Sequence, residues 1–436
     1  MRRFRGLVAV LIAVALPCAS SAQTTPGSQA AVIPGPSVLE FEEFLGRVGE
    51  VNLEAAATRA SLPIAVAQIA VARIFPNPTL TVGLGQVDIS GQGAPTASFV
   101  GFTVPVELGG KRRRRVAAAE AGRDVVSAEL EAHLLALRAD AAVAYVDALE
   151  AKLALERQQR TLASLERLVE VNRHRFEHGD IGETVFLQSQ VEYESFRARL
   201  YSVEGQLRGA ETVLSLYASA AADSPEPISV HGDLLLPVRQ FDEDELVQRA
   251  LAMRPDLVAR MRSLERARAM LGLARVNRII DAQLNVGWTH NGSTSVPQFR
   301  QHANDTLGAT VTVPLPFSNR HRGPVLAAQG MVQQEGLLLH ATELRVRTEV
   351  RRALAEYRAA ADRLEIYGTG LLSRADQVLE RVMYEYQHGG TTLIEVLLAQ
   401  RTANQVHLDY YEALAAHARA LIRLETAVGI WDVRFE

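Results

Sequence analysis

The stretch "EYQHGGTTLIEVLLAQR", Glu385–Arg401, breaks a very long helical pattern with two glycines and then restarts it. A relative of it, "RFEHGDIGETVFLQSQV", occupies Arg175–Val191. His178-Gly179 and His388-Gly389 lie 210 residues apart, as do Leu187 and Leu397, and Gln190 and Gln400. Toward the N-terminus Pro105 matches Pro314, and Ala118-Ala119 matches Ala327-Ala328, at a spacing of 209. "LTVG" from Leu80 matches "LNVG" from Leu284 at 204. A spacing this long, drifting as loop insertions make it drift, marks an internal duplication rather than a short-repeat solenoid.

Period and punctuation give the layout of each half. A shorter helix is expected over Leu53–Ile74, stopped by "PNP" at Pro76–Pro78, and its counterpart over Leu257–Arg278. Two alternating runs follow in each half, Thr79–Ile89 with Ala97–Val106, and Gln283–Thr289 with Thr306–Val313. Their period of two and their turn-rich linkers predict hairpins. From Lys111 to His178 there is no proline, and apolar positions step by four and three: Leu130, Leu134, Leu137, Ala141, Ala144, Ala148, Ala151, Leu155, then Leu162, Leu165, Val169. That is a coiled-coil seam with small residues on a helix spanning ~100 Å. Arg320–His388 repeats the design, and return helices are expected over Glu183–Tyr217 and Leu393–Val428. A return helix and a shorter helix, stacked end to end, reach ~85 Å and could pack beside nearly the whole of the long one. Residues 38–51 and 218–253 then lie at mid-height. The halves are 38–218 and 242–430, with a connecting segment 219–241 and a tail 431–436.

The chain of 436 residues is 48% hydrophobic and 22% charged, which excludes a disordered polymer. Its first residues read as an export signal. Arg2, Arg3 and Arg5 precede the apolar run Leu7–Leu16, and Ser20-Ser21-Ala22 offers a cleavage site before Gln23. Residues 23–37 are expected to be flexible. Cys18, the only cysteine, lies inside the signal, and Pro17 before it argues against lipidation. Cleavage removes every thiol and takes the formal charge from −4 to −7, which does not favour a nucleic-acid partner. No later segment reads as a transmembrane helix. Four strands cannot close a membrane barrel, which needs at least eight, and lipid does not tolerate open sheet edges. Several chains must therefore share one barrel. The competing reading is a soluble, edge-paired sheet capping a helical bundle.

"LAMRPDLVARMRSLERARAML" from Leu251, "PNPTL" from Pro76 and the two glycine turns, in this order, resemble the TolC-type outer-membrane efflux proteins. "VPVELGGKRRRRVAAAEA" from Val104 and "VPLPFSNRHRGPVLAAQG" from Val313 are similar to the branch that includes cobalt–zinc–cadmium resistance channels. The resemblance implies a mainly α fold with a small β part. A homotrimer would form a twelve-stranded transmembrane β-barrel above an α-helical tunnel. It implies a periplasmic adaptor and a proton-driven inner-membrane pump as partners, outer-membrane lipid around the barrel, and a passive exit duct. It places gating and adaptor docking at His178, Gly179, Asp180, Glu183, His388, Gly389, Gly390 and Glu395. The barrel-to-helix junction falls at Pro105, Gly109, Gly110, Lys111, Pro314, Pro316 and Arg320. One departure is visible, because "GEVNLEA" near Val51 stands where the second half has "MRPDLVA". Multidrug export, a type I protein-secretion duct and a pore-free periplasmic scaffold are the competing functions.

His174 and His178 have helical metal-site spacing, but no cysteine or carboxylate cluster completes a site, so no metal is assigned. Carboxylates at the turns could form rings that favour cations, or simply favour helix N-termini. "KRRRR", Lys111–Arg115, reads as a solvated or headgroup-level band that wants an anionic neighbour. Tyr145, Tyr193 and Tyr386 read as helix packing. No nucleophile–base set, phosphate-cradling loop or dinucleotide fingerprint is present, so neither catalysis nor a cofactor is expected.

Overall fold

The computed structural model describes residues 37–85, 97–219, 228–293, 302–317 and 320–432. The export signal with Cys18, the segment to residue 36, the strand end at 86–89 and the last four residues lie outside them. The first half runs β1 (Ser37–Leu39), α1 (Phe41–Val51), α2 (Leu53–Arg73), β2 (Thr79–Gly85), β3 (Ala97–Val106), α3 (Lys111–Glu177) and α4 (Glu183–Ala218). The second runs β4 (Ile228–Val230), α5 (Glu243–Met253), α6 (Pro255–Val276), β5 (Ala282–Asn291), β6 (Asn304–Thr312), α7 (Arg322–Ile366), α8 (Leu372–Gln387) and α9 (Leu393–Val428).

The second long helix is not the single rod that the sequence reading drew over Arg320–His388. It begins at Arg322, after His321 in the left-handed region (φ 52°). It is then interrupted by a kink at Tyr367–Leu371, where Thr369 and Gly370 leave helical φ/ψ. The sequence there is YGTG, and Gly370 takes φ 104°, which a side chain would resist. α3 has no such pair of glycines and continues for 67 residues.

α3 is the spine. α4 and α2 lie along it in succession, and α6 and α9 flank it elsewhere. The end-to-end join is made by Asn52. Its Oδ1 accepts from Ala55 N at 2.9 Å and caps α2, while its Nδ2 donates to Tyr217 O, near the end of α4, at 3.0 Å. In the second half Arg254 makes the same join, donating to Ala427 O at 3.2 Å and pairing with Asp256 and Glu349 at 2.7 and 2.6 Å. The departure at "GEVNLEA" is therefore a change of chemistry at a preserved joint.

α2 also corrects the expectation about membrane helices. It is 21 residues long, and a window of 18 of them has a mean hydropathy of 1.4, so it is long and apolar enough to cross a membrane by length and composition. Its position is nevertheless alongside α3, with its last carbonyls held by α3 arginines.

Strands β2-β3-β5-β6 form one antiparallel sheet in that order. Its register sorts residues into two faces. One carries the rows Leu80–Phe102–Val286–Ala309, Val82–Val100–Trp288–Leu307 and Val104–Leu284–Val311. The other carries Thr79–Thr103–Asn285–Thr310 and Thr81–Gly101–Gly287–Gly308. The apolar side is open, with Leu84 78% and Leu307 80% exposed. Strands of nine or ten residues match the length that crosses hydrocarbon at a tilt. Phe99 covers Gly83 so closely that a Cβ there would meet its ring at 2.5 Å.

The main core sits at mid-height, where α1, α5, β1 and β4 collect around the long helices. Alanines 141, 142, 148, 413, 415 and 418 are all fully buried, so the helices approach closely. Two tyrosines in corresponding positions organise it. Tyr145 OH lies 2.9 Å from Leu39 O and 2.6 Å from His231 O, and Phe41 and Phe44 pack on its ring. Burial pushes its phenol up to about 12. Tyr357 OH accepts from Arg239 N at 2.7 Å, with Phe241 against its ring. His417 stacks obliquely on Tyr357, is fully buried, and has neither ring nitrogen hydrogen-bonded among the described residues.

Two outcomes follow. Tyr145→Phe keeps the ring but frees buried carbonyls and costs about 1–3 kcal/mol, whereas Tyr145→Ala costs about 3–5 kcal/mol. Thermal denaturation in detergent distinguishes them. Burial lowers the His417 pKa below its ordinary 6.5, favouring the neutral ring in the folded state. Its contribution is intact above that ordinary value and lost as pH falls below it, because the unfolded chain takes up the proton first. His417→Leu should therefore lose less stability than the wild type between neutral pH and pH about 5.

Candidate functional site at the helical tip and the strand–helix junction

Both glycine turns are built alike. Gly179 and Gly389 adopt φ 80° and 77°, and Asp180 N and Gly390 N close the helix ends on Arg175 O and Glu385 O at 2.8 Å. His178 Nδ1 donates to His174 O at 2.7 Å, and His388 Nδ1 to Tyr384 O at 2.8 Å. Both histidines thus cap the carbonyls of the last helical turn. No group of three metal-ligating side chains occurs among the described residues.

The carboxylates differ between the turns. Glu395 and Thr392 form a reciprocal capping box, with Thr392 N 3.1 Å from Glu395 Oε2. Gly182 caps α4 without a side chain. Asp180 and Glu183 are exposed and have no ion-pair partner among the described residues.

The structure brings the two turns together through residues that sequence reading passed over or took as packing. Tyr386 OH donates to Asn172 Oδ1 at 2.7 Å in a buried contact. Arg175 crosses the Tyr386 ring at 5.0 Å and donates to Tyr386 O at 3.1 Å. Burial raises the Tyr386 pKa, opposed by the Arg175 charge and the Asn172 bond. Leu165, Leu168, Phe196, Leu393 and Val396 pack around this contact. Above it the halves meet through a polar seam, Thr161–Asn404 at 2.8 Å and Ser164–Gln400 at 3.4 Å. Arg401 on α9 also donates to Glu192 on α4 at 3.1 Å. Tyr386 was visible in the sequence, but its partner Asn172 lies 214 residues away.

At the other end, Gly109 and Gly110 adopt φ 73° and 70°. A Cβ on Gly109 would lie 2.4 Å from Ile279 Cδ1. Asp281 accepts from Leu108 N at 2.9 Å and pairs with Lys111 at 2.7 Å. Arg115 pairs with Glu107 at 2.7 Å, a bond that raises its pKa. It also donates to Ala72 O and Ile74 O at 3.0 Å, and Arg112 donates to Arg73 O at 2.6 Å. Basic side chains are out of place at the start of α3, yet here they satisfy the carbonyl end of α2, where cations belong. The anionic neighbours of the KRRRR run are thus Glu107, Asp281 and a helix C-terminus.

Pro105 lies within β3, opposite Gln283 and beyond the reach of β2, so no β2 partner requires its missing N–H. Pro314, Pro316 and Arg320 are exposed between β6 and α7. The left-handed start that Gly110 gives α3 is given to α7 by His321, one residue beyond Arg320.

A sheet apolar on one face, small and polar on the other, open at both edges and continuous with helices of this length defines a share of an outer-membrane duct. The chain belongs to the outer membrane efflux protein family, whose profile matches residues 49–220 and 246–430. The cobalt-zinc-cadmium resistance protein CzcC of Cupriavidus metallidurans is 26% identical over 443 residues, covering 98% of this chain and 100% of that one. Among solved structures, CusC superposes with a TM-score of 0.72 at 17% identity, covering 93% of this chain and 99% of that one. The outer membrane channel CmeC of Campylobacter jejuni gives 0.72 at 14% identity, over 89% and 85% of the two chains.

Replacing Tyr386 by Phe leaves Asn172, whose Nδ2 is already buried without a partner, unsatisfied on its oxygen as well. The change should cost about 1–3 kcal/mol and raise hydrogen exchange selectively around the two turns.

Proposed function

We propose that three copies of this chain form a passive exit duct for heavy-metal cations, joined by a periplasmic adaptor to a proton-driven inner-membrane pump. Residues 1–22 direct export and are removed before Gln23. The observation that carries the reading is the four-stranded sheet, whose β2 and β6 edges have no partner within the described chain. Pairing the β6 of one copy with the β2 of the next closes twelve strands in three copies, an even number within the range of membrane barrels. The same ring covers apolar side chains left exposed on the helices, Ile64, Val66 and Val71 of α2 and Leu326, Leu337 and Leu344 of α7. The metal assignment is supported by the likeness to CzcC across nearly the whole chain.

The paired turns form the periplasmic end, where the duct closes and the adaptor docks. Asp180 and Glu183 are its unpaired carboxylates, repeated by threefold symmetry, whereas Glu395 holds its own turn and His178 and His388 cap helices. Rings of this kind attract cations while binding them loosely enough for release.

The purified protein should give a heat-modifiable trimer that conducts in planar bilayers. Asp180→Asn with Glu183→Gln should lower cation selectivity at a stability cost of no more than about 1 kcal/mol, the loss of the Glu183 charge at the start of α4. Deleting the gene should lower zinc, cobalt or cadmium tolerance; unchanged metal tolerance with raised dye sensitivity would instead assign organic substrates.

A further inference from the structure

Six arginines at the strand–helix junction have no ion-pair partner among the described residues. Arg112 and Arg115 hold the end of α2, and Lys111 is paired with Asp281. Arg113 and Arg114 on α3, Arg275 and Arg278 around the end of α6, and Arg320 and Arg322 at the start of α7 are exposed. None has a carboxylate partner among the described residues.

The topology sets these six at one height. α3 packs along α6, and α6 along α7. Gly109 abuts Ile279, and Lys111 reaches Asp281, which fixes the start of α3 beside the end of α6. The last pairs of the sheet, Val106–Ala282 and Gln283–Thr312, lie immediately above. Between the strands and the arginines runs a band of exposed apolar residues, Ile74, Phe75, Leu108, Ile279, Leu315 and Phe317. Phe75 and Phe317 are 63% and 81% exposed, and the Arg112 guanidinium sits 4.2 Å from the Phe75 ring centre. Aromatic side chains at the limit of an apolar strand face, followed by cations, are the arrangement of a membrane–water boundary. The cations are arginines, whose planar fork suits phosphate oxygens. This local excess stands out in a chain whose formal charge is −4.

We propose that this level is a binding belt for acidic glycerophospholipid. The apolar band takes the glycerol and upper acyl region, and the six arginines take the phosphate. The belt rests on the reading of the sheet as a membrane wall. It adds a preference for headgroup charge that a barrel needs only where its cations lack protein partners. Attraction of this kind weakens as salt screens it.

The test uses the full assembled protein in nanodiscs of phosphatidylcholine mixed with phosphatidylglycerol, and counts retained lipid by native mass spectrometry after mild delipidation. The comparison is the fourfold variant Arg113→Gln, Arg114→Gln, Arg320→Gln, Arg322→Gln, whose side chains are exposed and have no ion-pair partner among the described residues. The wild type should retain phosphatidylglycerol several-fold above its share of the mixture, and raised salt should remove the enrichment. The variant should show no enrichment while keeping the same oligomer and conductance. Equal retention of both lipids by the wild type, as expected if a neighbouring copy neutralises the arginines, overturns the belt. Undiminished enrichment in the variant overturns it too. A wild type that conducts but shows no enrichment leaves the channel standing without the belt. A chain that stays soluble without detergent removes both.

Discussion

Backbone hydrogen bonding at the two outer edges of the sheet is the constraint on which the molecule turns. β2 and β6 each present a row of N–H and C=O groups, and hydrocarbon offers nothing to bond them. The sheet cannot bend round to satisfy itself with only four strands. The long helices inherit the consequence. They continue from the sheet through the Gly109-Gly110 corner and the His321 corner, so the spacing of the strands sets where α3 and α7 begin. The arginines that tie α2 to α3 hold the first of those corners against the end of α2, beneath the wall. A single chain is thus a sector, with its solvent-averse surfaces on the sides where the next sector belongs.

Much of this was legible as pattern. The 210-residue spacing, the hairpins and the extent of α9 follow from residues near one another in the sequence. What was not legible depends on partners far apart. The KRRRR run gave its charge but not its destination, because the α2 carbonyls that it binds carry no sequence signature. Tyr145 and Tyr357 occupy matching places in the repeat, yet nothing local says that their hydroxyls hold Leu39, His231 and Arg239. At the tip, the histidines drew attention through their spacing, while Arg175 and Asn172, which join the two turns, did not. The break at Tyr367–Leu371 is different. Gly368 and Gly370 were in plain view, and the even apolar rhythm on either side concealed them. The apolar content of α2 was underestimated because Pro63 and a few charges divide it to the eye.

The two halves show how a duplicated design changes its parts while keeping its joints. Asn52 and Arg254 both tie a helix start to the carbonyl end of the preceding return helix, one by a cap and one by a charged network. Gly110 and His321 both turn the chain through the left-handed region. The turns at Gly179 and Gly389 share their closing bonds, yet only the second carries a capping box. In each pair the conserved quantity is a direction of the backbone, and the side chain that achieves it is free to vary.

The kink in the second half has a consequence for helical phase. An α-helix facing a neighbour drifts by ~20° per heptad, so over a helix as long as α3 the buried stripe rotates by roughly half a turn. α3 can use that drift, since it faces different partners above and below mid-height. The helix opposite faces α6 and α9 above, and α9 with the end of α3 below, and a steady drift would carry its apolar stripe away from α9. At the kink Thr369 and Gly370 leave helical φ/ψ, so the phase of α8 is no longer tied to that of α7. The interruption works as a vernier between two stacked coiled coils, and adding or removing one residue there would turn the whole of α8 relative to α7.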